Sequence, residues 1–138
     1  MKKISVILFP VLLLGLLAAL PVYAQTRVVL RGDIPFEFMV ANKSLPAGAY
    51  DILGTSTYPI ALTIRGSENR EYVTFTTISN EKSKEVKPML VFRRYGNQYF
   101  LAELWTGSNA GRELPKSSEE QQVAKNQAAP ELIYVAAK

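Results

Sequence analysis

Six of the seven even positions from Val28 to Val40 are large and apolar: Val28, Leu30, Ile34, Phe36, Phe38 and Val40. The odd positions between them include Arg31, Asp33, Pro35 and Glu37. A period of two puts one face of an extended chain on a core and the other toward water, so this stretch commits the chain to a sheet. Gly32 is expected to mark a bulge that divides the run into two strands. Pro35 has no N–H to donate and belongs at a sheet edge.

The same alternation returns downstream, punctuated by turn residues. Leu45-Pro46-Ala47-Gly48 reads as a type I turn. Ala49–Leu53 follows as a strand with Tyr50 and Ile52 on one face, and Thr55–Pro59 is a polar connection. Ile60–Ile64 alternates again, Gly66–Asn69 looks like a turn, and Tyr72–Ser79 favours extended structure through its Thr and aromatic residues. Asn80–Lys87 mixes charges of both signs and reads as a solvated loop.

Met89–Tyr95 and Gln98–Trp105 flank Gly96-Asn97, a dipeptide suited to a two-residue hairpin of type II′. In that register Tyr95 faces Gln98, Phe92 faces Leu101 and Arg93 faces Phe100. Met89 then meets Leu104, and Leu90 meets Glu103, a mismatch that a bulge would shift. Unbroken alternation puts Tyr99, Leu101 and Trp105 on one face and Phe100 and Leu104 on the other. Thr106–Pro115 is expected to be a loop. Ser117 with Glu120, or Ser118 with Gln121, offers a capping box for a short helix to about Gln127. Pro130 stops it, and Leu132–Val135 is available as a last strand. Residues 25–138 are thus expected to form an all-β, single-domain antiparallel β-sandwich or small barrel of about seven or eight strands, with one short C-terminal helix.

The first 24 residues have a different character. Met1-Lys2-Lys3 is a positive start, Ile4–Leu20 is uncharged and apolar, and Val22-Tyr23-Ala24 ends in a small residue. This is the layout of a bacterial-type secretory signal peptide, with the mature chain expected to begin at or near Gln25, in the periplasm or outside the cell. The apolar run approaches the lower limit of a spanning helix. Pro10, Gly15, Pro21 and the Val-Tyr-Ala ending favour cleavage over an anchor, which leaves no stable membrane span in the mature chain.

The chain has no Cys and no His. An exported fold without Cys has no disulfide framework and stands on packing and backbone hydrogen bonds. The absent imidazole and thiol exclude Ser–His–Asp and Cys–His arrangements, the usual zinc sites and haem ligation through either residue. No cofactor or metal is expected. The net charge is +4, and removing Lys2 and Lys3 leaves +2, too little to argue for nucleic acid or an anionic membrane as partner.

Three blocks carry a family resemblance: Ile34-Pro35-Phe36-x-Phe38 with Leu45-Pro46-Ala47-Gly48-x-Tyr50; Leu90-Val91-Phe92-x-Arg94-Tyr95-Gly96-x-Gln98-Tyr99-Phe100-Leu101 with Trp105; and Gly111-Arg112-x-Leu114-Pro115-x-Ser117. Together they resemble an uncharacterised family of small exported bacterial proteins. The resemblance implies export and an all-β fold, and it brings no activity, ligand or catalytic residue.

Ser79-Asn80-Glu81-Lys82 matches the Ser-x-x-Lys pattern of penicillin-recognising enzymes, but that chemistry needs Ser at a helix start and companion motifs that the chain lacks. Glu37, Asp51, Glu71 and Glu103 sit on strands, where carboxylates are ordinarily solvated; paired across a cleft they would suit a hydrolase. Asp33 and Asp51 are the only Asp residues, so there is no Ca²⁺ loop. Asn42-Lys43-Ser44 is a formal glycosylation sequon without weight behind a bacterial-type leader. Lys82, Lys84, Lys87, Arg93 and Arg94 are expected near one end of the hairpin, as edge protection or as a grip on an anionic partner. The candidate binding surface is Arg93, Arg94, Tyr95, Tyr99 and Trp105, with Arg93 facing outward. The leading expectation is a non-enzymatic β-domain that binds an envelope protein, glycan or lipid. A small ligand-binding barrel is the alternative, with a carboxylate hydrolase third.

Overall fold

The computed structural model describes residues 26–55, 61–66 and 72–138. The expected leader and its cut before Gln25, the connections after Thr55 and after Gly66, and Glu71 lie outside the described residues. In chain order the elements are β1 (Thr26–Ile34), β2 (Phe38–Val40), β3 (Lys43–Leu45), β4 (Gly48–Thr55), β5 (Ala61–Gly66), β6 (Tyr72–Thr76) and β7 (Ile78–Glu81). Then come β8 (Met89–Tyr95), β9 (Gln98–Trp105), β10 (Ala110–Glu113), α1 (Ser118–Asn126) and β11 (Glu131–Ala136). One sheet has the order β1-β4-β5-β6 and the other β11-β8-β9-β10-β7, while β2 pairs with β3 and runs parallel to β9 at Met39–Phe100. The all-β expectation holds, and of sandwich and barrel the described strands form two sheets, with more strands than the seven or eight expected.

The core lies between the sheets. Leu30, Ile34, Tyr50, Ile52, Leu62 and Ile64 enter from the first sheet, and Leu90, Phe92, Leu101 and Leu104 from the second. Apart from Leu101 and Leu104, which fall on opposite faces by alternation, these are the alternating positions of the sequence, each worth about 1.5–3 kcal/mol when its large apolar side chain leaves water. The chain passes from one sheet to the other at one edge, and backbone bonds link the sheets at the other. On one side Thr77 alone separates β6, in the first sheet, from β7, in the second. On the other, Gly32 bridges Ala137, and Arg31 and Lys138 exchange N–H···O bonds of 2.9 Å in both directions.

Gly32 does not divide the first strand, contrary to expectation. β1 runs through it, with its irregularity between Val28 and Leu30. A Cβ on Gly32 would come within 2.8 Å of the Leu90 side chain, so the glycine is there for close approach of the two sheets. The break falls at Pro35, between β1 and β2. Ala41 (φ 49) and Asn42 (φ 62) then form the β2–β3 turn with two left-handed residues. The turn was illegible because Ala rarely adopts that conformation. After Leu45 the chain turns through Pro46 and Ala47, and the Tyr50 hydroxyl donates back to the Pro46 carbonyl at 2.6 Å, fixing the corner.

The hairpin β8–β9 keeps the expected pairs from Tyr95–Gln98 to Phe92–Leu101. A register shift between Val91 and Phe92 then leaves Ala102 as an extra residue, so that Val91 meets Glu103, Leu90 meets Leu104 and Met89 meets Trp105. The Leu90–Glu103 mismatch disappears. Leu101 and Leu104 both join the inner core, and Trp105 moves to the outer face. β10 occupies what was expected to be loop, pairing with both β7 and β9. Gly111 makes this possible: a Cβ there would lie 2.6 Å from the Trp105 ring.

Three substitutions test this register in urea melts. Gly96 has φ 58, so Gly96→Val is expected to cost about 1–3 kcal/mol through the turn. Phe92→Ala should cost about 3–5 kcal/mol. Gly111→Ala, forced against a fully buried indole, should cost about 1–3 kcal/mol. A silent Gly111→Ala would contradict the packing of the Trp105 ring against Gly111.

Candidate functional site

A strand whose neighbours are all apolar can hold an arginine only if the charge meets a partner. Arg93 is 9 % exposed, on the outer face of β8, beneath α1. Its Nε donates to Glu120 Oε1 at 2.5 Å, and its Nη2 donates to Glu120 Oε2 at 3.0 Å and to the Leu114 carbonyl at 3.2 Å. The Tyr95 hydroxyl donates to Glu120 Oε1 at 3.1 Å. Glu120 is 2 % exposed. A bidentate pair with a third donor satisfies most of the carboxylate's lone pairs away from water.

The sequence places that carboxylate by way of the helix start. Ser117 is the N-cap, and its hydroxyl accepts from the Glu120 N–H at 3.2 Å, as one of the two expected capping boxes requires. The returning half of the box is not made, because the Glu120 side chain turns to Arg93 instead. Asn42, from the β2–β3 turn, accepts from the Glu119 N–H at 3.2 Å and from the Ser118 hydroxyl at 3.3 Å. The helix N-terminus is therefore tied down by its own cap and by a second element, and its early amides are occupied.

The five residues expected to form one binding surface do not lie on one open face. Trp105, Tyr95 and Arg93 are buried, while Arg94 and Tyr99 are half-buried. The Trp105 indole N–H donates to Glu103 at 2.8 Å, and Lys82 lies over its ring at 4.4 Å. Tyr99 stacks on Phe36 with centroids 3.9 Å apart, and Arg94 reaches over it at 5.6 Å while contacting Glu131 at 3.5 Å. The basic cluster also separates. Lys82 sits at the Trp105 end of the hairpin, Arg94 near the turn, about 17 Å along the strand at ~3.4 Å per residue. Outward-facing positions differ from expectation because both faces of the hairpin are covered and, for Trp105, because the bulge at Ala102 changes its face.

The acidic groups are dispersed. Asp51 pairs with Arg31 at 3.1 Å and Arg65 at 3.0 Å, and Glu37 accepts from Ser44 at 2.8 Å. One cleft along the described residues includes Asp33 and another Glu131, and Glu37, Asp51 and Glu103 line neither. Ser79 lies on β7 rather than at a helix start. Among the described residues no group of three or more acidic side chains is placed to hold a metal, and no helix is long and apolar enough to cross a membrane. Two exposed side chains were not singled out in the sequence: Leu132 (47 %) and Tyr134 (60 %), on the same face of β11.

Burial pushes the Tyr95 hydroxyl above its ordinary range. The Glu120 carboxylate adds to the rise by repelling the phenolate and accepting the phenol's hydrogen bond, and Arg93 opposes it. A pKa raised by folding means that the fold favours the protonated form. That stability is fully present below the unfolded value of about 10 and is lost as pH rises through the folded one. As pH rises above about 10 the native protein should therefore lose stability more steeply than Tyr95→Phe in urea melts. Equal slopes would contradict the Tyr95–Glu120 contact.

Comparison of the chain with protein-family models, with curated proteins and with solved structures found no match.

Proposed function

We propose that the chain is exported and that its mature domain acts by binding a partner protein in the periplasm or cell envelope, with no chemistry of its own. One observation carries the reading. Leu132 and Tyr134, the two large apolar side chains exposed among the described residues, stand side by side on the terminal strand of their sheet. Single exposed apolar residues are ordinary, but a pair on a sheet edge is a template for association.

The backbone supports the same edge. Ala137 N–H donates to the Pro88 carbonyl on the β8 side, and hydrogen-bonding direction alternates along a strand. The main-chain groups of Leu132 and Tyr134 thus point away from β8, as those of Lys138 do where they reach Arg31. An extended segment of a partner fits there as a further strand, with main-chain bonds for affinity and the two side chains for specificity. The non-catalytic part of the proposal is supported by the dispersal of the carboxylates and by the enclosure of Arg93, Tyr95 and Glu120 beneath α1.

The test is photo-crosslinking in the bacterium that makes the protein, with the probe placed at position 134 or, as a control on the helix, at 125. The recovered chain should begin at or near Gln25 by mass spectrometry. The probe at 134 should join it to one envelope protein, and Leu132→Lys should abolish that product. A chain that retains Met1 would refute the export part. A probe at 134 that captures no more than the control, or only a second copy of the chain, would refute the partner.

A further inference from the structure

The sandwich is filled unevenly. Around Phe92 the rings of Phe36, Phe38, Tyr50 and Tyr99 interlock, with centroid separations of 3.9–5.5 Å. Toward the Trp105 end of the hairpin a cleft of about 210 Å³ remains between the sheets. Val29, Ile52 and Leu62 line it from the first sheet and Leu104 from the second, with Thr106 and Arg112 also on its wall.

Arg112 is the unexpected member. It pairs with Leu104 across the β10–β9 ladder, and residues directly opposite each other project to the same face. Leu104 belongs to the inner core, so Arg112 projects to the core side as well, while its neighbour Gly111 faces Trp105 on the outer side. Arg112 is half-buried, and none of the ion pairs among the described residues includes it. Arg31, Arg65, Arg93 and Arg94 each have a carboxylate.

We infer that this cleft is a binding site for a small apolar monocarboxylate, its tail among Val29, Ile52, Leu62 and Leu104 and its carboxylate on the Arg112 guanidinium. The planar fork of arginine matches a carboxylate with two parallel N–H···O bonds, and a half-desolvated setting strengthens the attraction. The apolar wall needs a tail, since each methylene taken from water multiplies affinity about fourfold. At roughly 30 Å³ per group, the share of a water molecule, the cleft admits a chain of about seven carbons. An engineered apolar cavity of about 150 Å³ already takes benzene. This site is distinct from the β11 edge and does not depend on it.

The test uses the exported protein, titrated with octanoate, octanol and acetate and followed by methyl NMR. Octanoate should saturate and shift the methyls of Val29, Ile52, Leu62 and Leu104. Octanol should bind at least about tenfold more weakly and acetate not at all. Arg112→Gln should weaken octanoate about tenfold and leave octanol unchanged, a change in ratio that a loss of folding would not produce. The inference is overturned if octanoate shifts none of these methyls, if Arg112→Gln binds it as well as the native chain, or if the shifts centre on Arg31 and Lys138 instead.

Discussion

The guanidinium of Arg93 stays in the outer face of the central hairpin because Glu120 comes to meet it. A buried cation without a partner would cost several kcal/mol, and so would the carboxylate. Together, with the Tyr95 hydroxyl and the Leu114 carbonyl, they satisfy one another and fasten α1 to β8. The rest of the arrangement follows from that fastening. With α1 in place, Val91, Tyr95 and Phe100 are buried on the outer side while Leu90, Phe92, Leu101 and Leu104 fill the inner side. A hairpin covered on both faces anchors a domain that has no disulfide to hold it.

The outer cover is assembled from remote pieces of chain. Asn42 in the β2–β3 turn holds the start of the helix, Ser117 caps it, and Gly111 leaves room for the Trp105 ring against β10. The two sheets are joined through Thr77 at one edge and through the last residues, Ala137 and Lys138, at the other. The link to β1 reaches only the last residues, Ala137 and Lys138, so the outer edge of β11 beside Leu132 and Tyr134 extends beyond it.

The inner half of this design was legible. Period-two alternation identified Leu30, Ile34, Phe38, Tyr50, Ile52, Leu62 and Ile64, and Gly96-Asn97 identified the hairpin. The Ser117 cap was visible too. The outer half was not, because alternation describes a strand with one wet face, and β8 has none. Arg93 looked solvent-facing since its partner lies 27 residues away, and Glu120 looked like an ordinary capping-box residue. The bulge at Ala102 has no local signal beyond the Leu90–Glu103 mismatch, and it reversed the side on which Trp105 lies. An arginine preceded by an unbroken apolar run, Met89–Phe92, was the one available hint of a buried pair.

The account stands on the coupling between Arg93 and Glu120, and a double-mutant cycle in urea measures it directly. Arg93→Met and Glu120→Leu should each cost about 3–5 kcal/mol, since each strands a buried charge. The double variant, with apolar groups on both sides, should cost no more than either single change, giving a coupling energy of at least about 3 kcal/mol. Single substitutions that cost little and add without coupling would show that α1 is not held by this pair. The doubly covered hairpin would then not be the anchor of the fold.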